Sequence, residues 1–251
     1  MSAAAPGVPG WIDLGSPDLD ATRAFYTGLF GWTAHTGGEE FGGYTIFNLD
    51  GKAVAGAGPL FSPDQPTAWT TYVITESADE TAAKVEANGG KVLMAPGDVG
   101  ENGRMAVFMD PGGAAFSVWQ PGTMPGGEVF NTPGALCWNE LLTRDTAGAK
   151  SFYGAVFGWG DEDSPFEDVT YTVWLLGNDR IAGMMPMEGH HLPPEMPPFW
   201  AVCFAVADTD ATVARCVELG GSVITPATDI PQGRYAVLTD PHGASFQVIK
   251  M

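Results

Sequence analysis

Apolar residues fall at two alternating spacings along this chain. Residues 9–15 form a short, largely apolar run of strand length, closed by Ser16-Pro17. That pair predicts a helix N-cap followed by Pro at the first helical position. Thr22, Phe25, Tyr26 and Leu29 then recur at helical spacing until Gly31 breaks the pattern. Short strands are predicted around 44–49 and 52–58. A second run begins with a strand at 69–75, after which Ser77-Ala78-Asp79-Glu80 reads as a capping box. Its helix runs to Asn88 and stops at Gly89-Gly90. Strands near 91–95, 104–110 and 114–120 follow, the last two joined by a tight turn at Asp110-Pro111-Gly112-Gly113.

The pattern then starts again. Trp11-Ile12-Asp13-Leu14 and Phe25-Tyr26 through Gly31-Trp32 return as Trp138-Asn139-Glu140-Leu141 and Phe152-Tyr153 through Gly158-Trp159 (11 to 138, 25 to 152, 32 to 159), a constant offset of 127. The block from Gly103 to Pro111 returns from Gly233 to Pro241, now 130 apart. A repeat of this length is a duplicated domain rather than a solenoid unit. Further helices are expected near 147–157 and 209–219. The Pro- and Gly-rich stretch between the copies supplies a linker. The expected organisation is a first domain at 1–122, a linker at 123–133 and a second domain at 134–251.

Composition narrows the partners more than the fold. Thirty acidic against 11 basic residues give a net charge of −19. Too few cations exist to build a basic patch, so neither nucleic acid nor an anionic membrane surface is expected as a partner. The N-terminal segment lacks the basic and apolar regions of a signal peptide, and no apolar run reaches membrane-spanning length. Cys137, Cys203 and Cys216 have no CxxC spacing and read as reduced, buried thiols, so a cytoplasmic location is expected.

The Phe-Tyr of the first helix, the Gly-Trp that ends it and the closing Asp-Pro-x-Gly turn resemble the vicinal oxygen chelate superfamily, which includes glyoxalase I, bleomycin-resistance proteins and extradiol dioxygenases. The resemblance spans Trp11 to Ile249 and is closest to two-domain, glyoxalase-like actinobacterial proteins. The element order gives four βαβββ modules and so an α+β class with curved, mostly antiparallel sheets, and the resemblance makes these tandem glyoxalase/bleomycin-resistance domains whose mixed sheets surround cavities. By the same analogy each cavity is lined from both halves, in a monomer with pseudo-dimeric domains or in a homodimer.

Metal-dependent members of that family place a His or Gln on the first strand of a module and a Glu on its last. The matching first-strand positions here fall on Trp11 and Trp138, and at or beside Thr70 and Ala201. The last-strand positions fall on Ser117 and Gln247, and within 52–58 and 180–184. Three or four convergent N or O ligands are needed for a divalent ion. None can be assembled from these residues, so no metal or other cofactor is expected. His35 and His242 are single, and adjacent His190 and His191 in a Pro-rich loop are read as a cavity rim.

Indoles stand where the ligands would be. Trp11, Trp69, Trp138 and Trp200 open the four inner strands, and Met184, Met185, Met187 and Met196 gather near Trp174 and Phe199, a composition suited to a flat or apolar ligand. Asp13 and Glu140 follow their tryptophans by two residues and share their strand face. Arg104 and Arg234 are also kept in both copies, which predicts the pairs Asp13–Arg104 and Glu140–Arg234. The expected ligand-binding set is Trp11, Asp13, Trp69, Arg104, Ser117, Trp138, Trp200, Arg234 and Gln247, with Glu140 as candidate acid/base. The expected function is metal-free binding of an apolar or aromatic metabolite or antibiotic, for sequestration, resistance or as an auxiliary in natural-product biosynthesis beside an oxygenase partner. The alternative is a lyase, hydrolase, isomerase or hydroxylase that uses Glu140 or an unplaced divalent metal.

Overall fold

The computed structural model describes residues 5–38, 42–62, 65–166, 168–188, 192–193 and 195–251. His190 and His191 lie outside them. The first repeat forms β1 (Pro9–Ser16), α1 (Leu19–Phe30), β2 (Thr33–Thr36), β3 (Thr45–Leu49) and β4 (Lys52–Pro59), then β5 (Ala68–Ile74), α2 (Ala78–Ala87), β6 (Lys91–Asp98), β7 (Gly103–Met109) and β8 (Ala115–Pro121). The second forms β9 (Leu136–Thr143), α3 (Thr146–Phe157), β10 (Gly160–Phe166), β11 (Val169–Leu176) and β12 (Asp179–Pro186), then β13 (Phe199–Ala205), α4 (Thr209–Glu218), β14 (Ser222–Ile230), β15 (Gly233–Thr239) and β16 (Ser245–Lys250). Four βαβββ modules result. No described helix is long and apolar enough to cross a membrane.

Each repeat contributes one mixed eight-stranded sheet, in the orders β2-β3-β4-β1-β5-β8-β7-β6 and β10-β11-β12-β9-β13-β16-β15-β14. Within every module the first and last strands pair in parallel and the remaining neighbours run antiparallel, as β1 with β4 and β3 with β4 show. The parallel pairs follow from the helix that crosses over between them.

The cores obey a different division. One compact unit gathers Met1–Trp11, Thr71–Gly126 and Trp138–Ala201, and the other Ile12–Thr70, Gly127–Cys137 and Val202–Met251. The first unit's core joins Phe108, Phe116 and Val118 of one repeat to Phe152, Tyr153, Trp174 and Met184 of the other. The second unit's core likewise joins Phe25, Tyr26 and Phe47 to Phe204, Leu238 and Phe246. The mixing of halves that the resemblance implies for the cavities is therefore found in the cores, whereas each sheet's strands come from one repeat.

Local signals account for the helix ends, with one correction. Ser77 caps α2 by accepting from the Glu80 amide at 3.2 Å. Gly31 and Gly158 end α1 and α3 in the left-handed region, at φ 72° and 73°. The α1 cap, however, is Asp18 and not Ser16, since Asp18 Oδ1 accepts from the Ala21 amide at 3.0 Å. Ser16 Oγ is occupied instead by the Thr22 hydroxyl and the Asp18 amide, which leaves Ser16 at the end of β1 and Pro17 outside the helix.

Candidate ligand site

The repeated aromatic motifs hold each unit's core together. In the first unit Trp200 Nε1 donates to Tyr153 Oη at 2.9 Å, and Tyr153 Oη donates to Asp110 Oδ2 at 3.0 Å. Asp110 Oδ1 meanwhile accepts from the Gly113 and Ala114 amides. In the second unit Trp69 Nε1 donates to Tyr26 Oη at 3.1 Å, which donates to Asp240 Oδ2 at 3.3 Å. The Phe-Tyr helix of one repeat is thus tied to the Asp-Pro turn of the other. Burial pushes both aspartate carboxyls up from their ordinary value and both tyrosines well above theirs. The Gly-Trp motifs finish the same job: Trp32 Nε1 and Trp159 Nε1 donate to the Gly134 and Gly7 carbonyls, each at 2.7 Å.

This removes several expected site residues. Trp69 and Trp200 are 6 % and 5 % exposed and spend their N–H groups inside the cores. Met184 and Trp174 are completely buried in the first unit's core, and Met187 packs with Leu142 and Ala201. The arginines move outward. Arg104 binds Asp79 and Asp98 through contacts of 2.7–3.1 Å, and Arg234 binds Asp210 and Asp229. The expected pairs Asp13–Arg104 and Glu140–Arg234 are therefore replaced by surface clips that tie the first turn of α2 or α4 to the adjoining β-hairpin. Asp79 and Asp210 are held below the usual carboxylate range by those guanidiniums. Ser117 is wholly buried with no hydrogen-bond partner for its hydroxyl, and Gln247 sits opposite Cys203 in the β13–β16 register.

What remains is a small constellation present once in each unit. In the second unit, β1 places Asp13 opposite Gly56 of β4. The Tyr44 ring lies across Gly56 and Gly58, and its hydroxyl donates to Asp13 Oδ2 at 3.1 Å. A Cβ on Gly56 would sit 2.5 Å from Tyr44 Cζ, so this position accepts only glycine while the ring stays. In the first unit, β9 places Glu140 opposite Gly183 of β12. There a Cβ on Gly183 would lie 2.6 Å from Tyr171 Cζ and 2.7 Å from Trp138 Nε1, and the indole donates to Tyr171 Oη at 2.8 Å. Phe166 adds a third ring, its centroid 6.1 Å from that of Tyr171. Asp13, Tyr44, Trp138, Glu140 and Tyr171 are all half-buried, so solvent reaches them, whereas Trp11 is only 3 % exposed.

Tyr44, Tyr171, Gly56 and Gly183 were not among the residues singled out from the sequence. The signal for them is the repeat itself, because 44 to 171 and 56 to 183 are again 127 apart. A Tyr beside a Gly carries no chemical signature until the register brings them together.

The model of the Glyoxalase/Bleomycin resistance protein/Dioxygenase superfamily matches residues 9–118 and again 136–248. The chain belongs to this superfamily. Among relatives of this superfamily protein, the anthracycline biosynthesis protein DnrV of Streptomyces peucetius is 47 % identical, over 100 % of this chain and 96 % of its own length. The putative glyoxylase CFP32 of Mycobacterium tuberculosis is 40 % identical over 97 % of this chain and 95 % of its own. Solved structures share the fold at low identity. The Mn(II)-bound glyoxalase from Novosphingobium aromaticivorans has a TM-score of 0.67 at 17 % identity, covering 96 % of this chain and 80 % of that one. The 2,2',3-trihydroxybiphenyl 1,2-dioxygenase of Sphingomonas wittichii has 0.66 at 14 %, covering 98 % and 91 %.

Metal-dependent members of the superfamily hold a divalent ion, and the donors among the described residues do not fit one. Among the described residues no three His, Cys, Asp or Glu side chains converge. Each constellation offers one carboxylate and one phenol, with an indole in the first unit, which falls short of the ligand count a divalent ion requires. On β4 and β12 the residue opposite the carboxylate is a glycine roofed by tyrosine, so no fourth-strand carboxylate fits there either. The arrangement can hold a flat ring against aromatic faces and accept a hydrogen bond at a carboxylate.

Proposed function

We propose that this superfamily member binds an apolar, aromatic small molecule without a resident metal, in an auxiliary or sequestering role in natural-product metabolism. The observation that carries the reading is the half-buried carboxylate–tyrosine pair over glycine, Asp13–Tyr44 on Gly56 and Glu140 beside Tyr171 on Gly183, which recurs in both units. Aromatic faces contribute on the order of 0.5–1.5 kcal/mol per ring pair beyond area burial, and the carboxylate orients a ligand hydroxyl or N–H. The relationship to a protein named for anthracycline biosynthesis, 47 % identical along the whole chain, supports a polycyclic aromatic ligand.

Tryptophan fluorescence titrated with 1,4-dihydroxyanthraquinone tests it, alongside elemental analysis of untagged protein. Saturable quenching at about one or two ligands per chain is expected, with Tyr171→Ala weakening it. Absence of saturable quenching, or a stoichiometric divalent metal that survives dialysis, would overturn the reading.

A further inference from the structure

We propose that buried differences between the two repeats, the Thr71–Asn139 hydrogen bond foremost, make each repeat take the other as its partner and reject a second copy of itself. Each core is built from one repeat against the other. Nothing in that plan by itself stops two chains from assembling repeat against like repeat. The repeated motifs do not forbid it either. Tyr153 donates to Asp110 and Tyr26 to Asp240, and since the tyrosine and the aspartate occur in both copies, like repeats would keep these bonds. Discrimination therefore has to lie where the copies differ.

Two such differences act together. In the first unit Thr71 on β5 and Asn139 on β9 are 1 % and 3 % exposed, and the threonine hydroxyl donates to Asn139 Oδ1 at 2.9 Å. Their counterparts in the second unit are Val202 and Ile12 (71 to 202, 139 to 12), both wholly buried in that unit's core. The native arrangement thus matches polar with polar and apolar with apolar. Second repeats paired together would set Asn139 against Val202, and first repeats would set Thr71 against Ile12. Either choice strands a buried polar group, which is how a wrong partner is refused.

The rings follow the same rule. In the second unit Trp32 packs on Phe47 and on Phe204, with centroids 5.2 and 5.7 Å apart. In the first unit Trp159 packs on Trp174 at 5.5 Å, and Val73 holds the place of Phe204 (73 to 204). Met184 likewise stands where the second unit has Ala57 (57 to 184). Larger side chains from one repeat meet a smaller one from the other in the first unit, and the reverse holds in the second. Second repeats paired together would crowd Trp174 and Met184 against Phe204, while first repeats would leave Phe47 and Ala57 short of contacts beside Val73.

The test uses the full chain, refolded from urea and weighed by light scattering over a range of protein concentrations. Ile12→Asn combined with Asn139→Ile moves the asparagine into the first repeat, where only the Thr71 of a second chain's first repeat can answer it. This variant is expected to refold at about twice the mass of the native protein. Thr71→Val combined with Asn139→Ile instead gives both units the apolar version of the pair. It should keep the native urea midpoint or exceed it, and raise the share of double-mass species about tenfold. Neither variant favours a mere exchange of unlike repeats between chains, since that leaves every pairing as it is within one chain. The proposal falls if the first variant refolds at the native mass, and equally if the second gains no double-mass species. Should the first variant fail to refold, the second decides alone.

Discussion

At the scale of single residues, the most consequential group is the Tyr153 hydroxyl. It accepts from the Trp200 indole and donates to Asp110, and all three are buried. Removing it strands a donor and an acceptor at once, and an orphaned buried polar group costs on the order of 1–3 kcal/mol. Tyr153→Phe should therefore lower the unfolding free energy by about 2 kcal/mol or more in urea titrations, while Phe157→Leu nearby should cost its packing alone. The aspartates add a pH dependence of unusual sign. Burial raises the carboxyls of Asp110 and Asp240 from 3.8, so the folded state holds these protons more tightly than the unfolded chain does. Their contribution is complete below the unfolded value and is lost as pH rises through the raised folded value. Urea midpoints should fall over that window, and Asp110→Asn should flatten the fall. A midpoint that climbs through the same window, unaffected by the substitution, would contradict this assignment.

Elements were legible to different degrees. All four helices follow from apolar spacing and caps, because those are interactions within one stretch of chain. The Asp18 cap was missed since Ser16 is equally suited chemically, and the choice depends on Thr22 reaching back to Ser16 Oγ. Edge strand β2 (Thr33–Thr36), exposed at every position, carries no alternation to read. β12 makes a prediction of its own. Gly183 is roofed by Tyr171 and Trp138, so Gly183→Ala must displace one of the rings, at about 1–3 kcal/mol for overpacking. Gly160→Ala on β10, whose added methyl would meet nothing closer than Leu175 Cβ at 3.8 Å, should change stability by about 0.5 kcal/mol or less. Equal effects of the two in chemical denaturation would show that the tyrosine does not rest on the glycine.

For the whole molecule, the mixing of repeats within each core has a direct consequence. Residues 1–126 alone would retain the strands of one sheet but only half of each hydrophobic core, exposing Phe25, Tyr26, Phe108 and Phe116 together with the orphaned carboxyl of Asp110. This fragment is expected to lack cooperative unfolding and to bind the dye ANS, whereas the full chain unfolds with a sharp transition. A fragment that melts cooperatively as a monomer would show that one repeat can close its own core.

The sequence by itself determined the duplication, the α+β class and the module order, because these are written in local periodicity and in offsets of 127 and 130 between copies, and its repeated motifs carried the resemblance to the superfamily. It also determined that few cations exist to meet many acids. Only the tertiary structure decided which kept residues are scaffold and which face solvent. Trp69, Trp200 and the Phe-Tyr helices are kept because a hydrogen-bonded core needs them, and Arg104 and Arg234 because exposed aspartates on a neighbouring helix claim them. Tyr44 over Gly56 and Tyr171 over Gly183 are as strongly repeated but silent in one dimension. Strand register and ring packing, both long-range properties, bring the phenol, the glycine and the carboxylate to one place.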